Sequence, residues 1–191
     1  VKALVMTSAA TLALTATVGG TLAWLIAEDT VTNTFTYGDI NIELTETDTG
    51  LDADDNDKTN EYEMVPGNSI TKDPKVTVEA DSEDCYLFVQ LNKSDNFDNF
   101  MTYEVDASVW TALTGVENVY YKSVDKDVDD QEFSVLLGDK VNVKDGVTKE
   151  MLNALTDATY PELTITAYGV QRDADIDAID TVEEAWALTQ E

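Results

Sequence analysis

The chain has 191 residues, a length typical of one domain with one sizeable core, and 43% of them are hydrophobic, which favours folding over disorder. With 39 acidic and 11 basic residues the formal net charge is −28, so nucleic acid and anionic lipid are repelled. Histidine is absent, which excludes serine and cysteine nucleophile sites that need a histidine base, and HExxH zinc sites.

An N-terminal signal helix is predicted from residues 3–27, which are apolar and uncharged. The small residues Thr21 and Ala23 form a site of the kind that signal peptidases cleave. We expect the cut after Ala23, which leaves Trp24 as the first mature residue, and a cut after Ala27 is the alternative. The same stretch, at roughly 25 residues, is long enough for a transmembrane anchor, but its alanine, threonine and glycine content favours a cleaved signal.

The mature chain begins with a strand pattern that changes phase at a glycine. Val31, Phe35 and Tyr37 share one parity and alternate with threonines, which predicts a strand with one buried face. After Gly38 the opposite parity is apolar, at Ile40, Ile42 and Leu44. The phase change indicates either a bulge or the joint between two separate strands.

A polar acidic loop follows and contains oxygen ligands at alternate positions. Asp52, Asp54, Asn56 and Glu63 stand at positions 1, 3, 5 and 12 of an EF-hand-like frame, a spacing that suits Ca²⁺. Asp57 stands where the tight turn of that loop requires glycine, so the frame is incomplete. No other cofactor is expected.

The middle of the chain reads as strands separated by turns. Residues 86–91 are apolar on both faces, which predicts a central strand covered on both sides, next to a buried Cys85 thiol. We expect residues 66–91, from the turn at Pro66 onward, to form the centre of one sheet. Further strands are predicted near residues 76–80, 103–105, 119–122, 133–137, 141–143 and 163–167.

Two short helices are predicted in the second half. Residues 148–155 have apolar side chains at helical spacing, and Thr181 with Glu184 forms a capping box for a last helix that Trp186 anchors. The whole pattern predicts a mainly β fold: a single jelly-roll-like antiparallel β-sandwich with one or two short helices, preceded by the signal helix. Its parts are a signal peptide (1–23), an N-terminal arm (24–38) and the sandwich domain (39–191).

Short motifs along the chain resemble one family of exported bacterial proteins. They are GTLAW at 20–24, DTVTNTF at 29–35, GDINIEL at 38–44, VPG at 65–67, KDP at 72–74, SEDCY at 82–86 and AYGVQ at 167–171. In order and spacing they are similar to the TasA/camelysin (CalY) family, whose signal peptide is removed by the dedicated peptidase SipW.

The resemblance implies a function. It implies a secreted, cell-surface or biofilm-matrix structural protein, processed by a SipW-like peptidase and self-associating into fibres by donor-strand complementation. The arm, with Val31, Phe35, Tyr37 and Gly38, would be the donated strand; alternatively it is an edge strand of its own domain. A camelysin-like metalloprotease and an acidic Ca²⁺-dependent surface binding module are the other hypotheses, and the lack of histidine argues against the first. We expect no enzyme activity, no nucleic-acid partner, and membrane contact only through an uncleaved signal segment.

Overall fold

A computed structural model describes residues 24–25, 35–37, 39–47, 61–156, 158–172, 179 and 181–190. Within them the chain is mainly β, as predicted, with thirteen strands and three short helices. The strands are β1 Trp24–Leu25, β2 Phe35–Tyr37, β3 Ile42–Thr45, β4 Tyr62–Glu63, β5 Ser69–Thr71, β6 Lys75–Val78, β7 Cys85–Lys93, β8 Met101–Val105, β9 Thr111–Ala112, β10 Val119–Val124, β11 Gln131–Ser134, β12 Leu136–Val143 and β13 Leu163–Gln171. The helices are α1 Phe97–Phe100, α2 Lys149–Asn153 and α3 Val182–Leu188.

The strands form one large sheet and three smaller ones. The large sheet has five strands in the order β2-β13-β7-β10-β9, and two three-stranded sheets have the orders β11-β6-β3 and β5-β12-β8. Strands β1 and β4 make a separate two-stranded pair. The main core lies between one face of the large sheet and the two three-stranded sheets, which gives the sandwich its two layers.

Strand β7 is the central strand of the large sheet, as its apolar pattern predicts. It pairs with β13 on one side and β10 on the other. Leu87, Val89 and Leu91 point into the main core, while Phe88 points to the opposite face. Because successive side chains of a strand alternate between faces, both faces of β7 must be covered by other elements.

The second cover is helix α3, which packs on the outer face of the large sheet. Trp186 lies with its ring centroid 5.4 Å from that of Phe88 and 5.2 Å from that of Tyr168. The predicted capping box is confirmed, since the Thr181 hydroxyl accepts from the Glu184 N–H and the Glu184 carboxylate accepts from the Thr181 N–H. Trp186 is therefore the predicted anchor.

Three details of the predicted fold are wrong. Residues 66–91 do not form one sheet, because β5, β6 and β7 belong to three different sheets. Residues 133–137 are not one strand: the chain changes sheets at Val135, whose N–H bonds the Pro74 carbonyl. A third helix, α1, also follows β7. It is a single turn that begins and ends with a buried phenylalanine.

Candidate assembly edge and buried polar cluster

The side of β13 that does not pair with β7 is the place where the N-terminal arm meets the domain. Strand β13 pairs with β7 along all nine of its residues. On its other side it pairs with β2 over three residues, where Tyr168 faces Phe35 and Val170 faces Tyr37. This pairing is parallel, whereas every other strand pairing in the described part of the chain is antiparallel. We call this side of β13 the assembly edge.

The described parts of the arm pair with their own domain. Phe35 and Tyr37 belong to β2 on the assembly edge, and Trp24 in β1 pairs with Glu63 in β4. Val31 and Gly38 lie outside the described residues. In the isolated chain the arm therefore supplies an edge strand to its own sheet, and exchange between chains stays a prediction.

The change of parity marks a joint between two strands, one of the two possibilities that the sequence left open. Strand β2 belongs to the large sheet and β3 pairs with β6 in the opposite layer. Just after the joint, the Asp39 N–H donates to Gln171 Oε1 at 3.1 Å, and Ile40 is buried. The chain is thus anchored to the domain directly beyond the arm.

At Gly169 the core side of β13 lies directly under residues of the segment that leads into β3. A β-carbon built at Gly169 would lie 3.4 Å from Ile42 Cγ2 and 3.6 Å from Ile40 Cγ2. Tyr168 and Val170, on the two sides of Gly169, face the outer side of the large sheet and lie in the same core cluster as Trp186 of α3. The assembly edge is consequently backed by packed side chains on both faces.

The remaining predicted site residues fall partly inside the described chain. Thr21, Ala23, Asp52, Asp54 and Asn56 lie outside it. Glu63 is described, and its side chain is exposed on β4. Among the described residues, no group of three or more cysteine or acidic side chains is placed to hold a metal ion. No helix within those residues has the length and apolarity needed to cross a membrane.

Sequence patterns did not identify a buried polar cluster at the ends of three strands. Glu46 follows β3, Tyr62 belongs to β4 and Lys72 follows β5. The Lys72 ammonium lies 2.9 Å from Glu46 Oε2 and 3.2 Å from Oε1, and the Tyr62 hydroxyl donates to Oε1. The Lys72 nitrogen is also 5.4 Å from the centre of the Tyr62 ring.

Burial shifts the acid-base properties of this cluster. The side chains of Lys72 and Glu46 are 5% and 1% exposed. Loss of solvent lowers the pKa of Lys72 to about 7, against the smaller opposing effect of the Asp73 carboxylate. Burial, together with the neighbouring Glu46, raises the pKa of Tyr62 above its ordinary range. The cluster thus combines a cation that is costly to bury with a carboxylate and a hydroxyl that keeps its proton.

A sequence signal for this cluster does exist. The inward parity of Ile40, Ile42 and Leu44 continues to Glu46, and the parity of Ile70 continues to Lys72. A charged residue that occupies the next inward position of a strand needs a buried partner. The pattern can therefore identify each residue, but not which of them meet.

The fold is that of a mainly β domain built as a sandwich. Strand β2, which runs parallel to its neighbour β13, lies at one end of the large sheet. The chain matches no described protein family, no curated protein and no solved structure.

Proposed function

We propose that this chain is an exported structural subunit that polymerises into cell-surface or biofilm-matrix fibres by donating its N-terminal arm to the next subunit. The observation that carries the proposal is the parallel pairing of β2 with the assembly edge, next to a joint between sheets. The resemblance to the TasA/camelysin family supports export and cleavage by a SipW-like peptidase. In this proposal the protein is a structural component of the fibre and has no enzymatic activity.

The geometry of β2 suits exchange between identical chains. Within the described residues, three residue pairs join β2 to β13, and parallel pairs are slightly less stable per residue than antiparallel ones. An element that completes its own sheet can complete the same slot in a neighbour, because the contacts are identical. The arm can then occupy the same position beside β13 either in its own chain or in the next subunit.

The register gives the proposed contact its length. Phe35 pairs with Tyr168, so a donated strand that keeps this parallel register would place Val31 opposite Thr164. Seven arm residues, 31–37, would then cover residues 164–170 of the acceptor's β13. Each of these residue pairs would add to the backbone contact between the two subunits.

Removing the arm tests the proposal. A chain without residues 24–37 should fold, with some loss of stability, and should form no fibres in negative-stain electron microscopy. The truncated subunit keeps an empty slot but has no strand to donate. Substoichiometric truncated protein should therefore shorten fibres of the full mature chain. Normal fibres from the truncated protein would show that the arm is not the connector.

A matched pair of point variants separates backbone pairing from other roles of the arm. Thr36→Pro removes a backbone N–H from β2, whereas Thr36→Ala keeps it. We expect slow or absent polymerisation for Thr36→Pro and near-normal polymerisation for Thr36→Ala, as followed by light scattering. Equal rates for the two variants would contradict a strand-pairing role.

A further inference from the structure

We propose that Glu46 and Lys72 condense into an amide that covalently joins the end of β3 to the end of β5. The inference is independent of fibre assembly, since it concerns two side chains of one domain. The Lys72 nitrogen lies 2.9 Å from Glu46 Oε2 and 3.2 Å from Oε1, so it is in direct contact with the carboxyl group whose carbon it would attack.

Hydrogen bonds of the neighbouring residues hold the two chain segments beside each other. The Thr47 N–H and hydroxyl donate to the two Asp73 carboxylate oxygens at 3.1 and 2.7 Å, so the residues after Glu46 and Lys72 are clamped together. The Lys72 N–H donates to the Asp139 carbonyl at 2.9 Å. Such fixed proximity replaces the entropy cost that normally slows amide formation between two separate groups.

Burial favours the reactive protonation state. An ammonium and a carboxylate do not condense, but an amine and a carboxylic acid do. Transfer of one proton from Lys72 to Glu46 produces this neutral pair, and exclusion of water lowers its cost relative to the ion pair. The lowered pKa of Lys72 is in agreement with this tendency.

Tyr62 acts as a catalytic residue, because it touches the reacting carboxyl group. Its hydroxyl donates to Glu46 Oε1, where negative charge develops when the Lys72 nitrogen attacks the carboxyl carbon. The nitrogen–carbon bond forms, one carbon–oxygen bond breaks, and the departing oxygen leaves as water with one proton from the amine and one from the carboxylic acid. No oxidant, metal or cofactor is required.

A small cavity beside the cluster has room for the water that is released. It has a volume of about 20 Å³ and is lined by Tyr62 and Lys72 together with apolar side chains, among them Met64 and Phe97. A space of roughly 10–15 Å³ is enough for one water molecule. The leaving group therefore has a place to go without displacing the core.

The cross-link would supply a constraint that the chain cannot obtain from cysteine. Cys85 is the single cysteine, so an intrachain disulfide is impossible. An amide between residues 46 and 72 closes a loop and ties the sheet that contains β3 to the sheet that contains β5. Like a disulfide, it would stabilise the domain mainly by limiting the unfolded chain.

Intact-mass spectrometry of the purified, folded full chain tests the proposal directly. We expect a mass lower than the sequence mass by one water molecule. After trypsin digestion, cleavage after Lys72 should be blocked, and peptide 59–75 should remain attached to the peptide that ends at Lys58 and contains Glu46. An unchanged mass, with a normally cleaved Lys72, would overturn the proposal without any variant.

Matched lysine variants locate the reaction. Lys72→Met should restore the full mass, whereas Lys75→Met should keep the loss of water. Lys75 is the appropriate control because it also pairs with a glutamate at 2.9 Å, Glu132, but on the exposed surface. Loss of water that persists in Lys72→Met would overturn the assignment. Tyr62→Phe should fold and should lower the cross-linked fraction at equal times after refolding.

Discussion

Two adjacent residues of β7 lie in two different hydrophobic cores. Leu87 is fully buried in the main core, while the adjacent Phe88 is fully buried under Trp186. The apolar run from 86 to 91 predicts that both faces are covered. It does not reveal that one cover is a pair of sheets and the other a helix, because the covering elements are distant in sequence.

Leu87→Asp should prevent folding, because it places an unpaired carboxylate in the core between the layers. Leu137→Asp is the matched control, since Leu137 lies on β12 but is 46% exposed. We expect no cooperative thermal transition by circular dichroism for Leu87→Asp and a near-normal transition for Leu137→Asp. A folded Leu87→Asp protein would disprove the central placement of β7.

Gly67 is required by the backbone of its turn. Its φ is +79°, and an added β-carbon would lie 2.7 Å from an Asp145 carboxylate oxygen. Gly67→Ala should lower the free energy of unfolding by about 1–2 kcal/mol, the cost of a left-handed conformation for an L-residue. Gly146→Ala, in open space and without a positive φ, should change it little. Urea unfolding of both variants measures the difference, and equal values would contradict this reading of the turn.

For the buried polar cluster, the sequence predicts which positions are buried but not which side chains meet. Glu46 and Lys72 each extend an apolar parity, so a buried charge is foreseeable at each position. Their contact depends on the packing of β3 beside β5, which lie in different sheets. Local periodicity gives the direction of a side chain and cannot give its partner.

Elements were more predictable than the sheets that they form. The parity change after Tyr37, the helical spacing of residues 148–155 and the capping box of α3 are local signals, and the structure contains the predicted joint and both helices. Sheet membership is decided by pairings between distant residues, such as β13 with β2. For that reason the predicted single sheet over residues 66–91 was wrong.

A charged clasp joins three strand ends of the large sheet. Arg172, just after β13, donates to Asp84 Oδ2 at 3.2 Å and to Asp125 Oδ1 at 2.7 Å. Asp84 precedes β7 and also accepts from the Lys126 N–H at 2.7 Å, while Asp125 directly follows β10. These contacts hold the ends of β7, β10 and β13 in register.

The clasp should weaken in acid. The Lys126 backbone N–H, followed by Arg172, lowers the pKa of Asp84 below its ordinary value of 3.8. The unfolded chain therefore binds more protons, so this contribution to stability is present above pH 3.8 and is lost as the pH falls through the native pKa. The difference in unfolding free energy between the wild type and Asp84→Asn should shrink below that pH. Exposed Asp95→Asn serves as control, and a pH-independent difference for Asp84→Asn would contradict the mechanism.

At the scale of the whole molecule, the dominant property is the net charge of −28. Such a charge keeps single domains dispersed, since every approach of two copies is repulsive. The same repulsion opposes the proposed fibre, in which copies must meet at the assembly edge. Contacts by strand pairing must therefore outweigh a long-range barrier that depends on the salt concentration.

Polymerisation should accelerate when salt is added. Between ionic strengths of about 0.01 M and 0.15 M the Debye length falls from roughly 30 Å to about 8 Å, which removes most of the repulsion between approaching subunits. Light scattering of the mature chain should thus show faster growth in NaCl.

CaCl₂ at matched ionic strength distinguishes screening from a specific site. Similar rates in the two salts would indicate a diffuse ion atmosphere, whereas a saturable effect of Ca²⁺ that persists in physiological NaCl would assign a role to the acidic frame of Asp52, Asp54, Asn56 and Glu63. Growth that slows with added NaCl would contradict repulsion as the barrier, because screening cannot hinder subunits that repel each other.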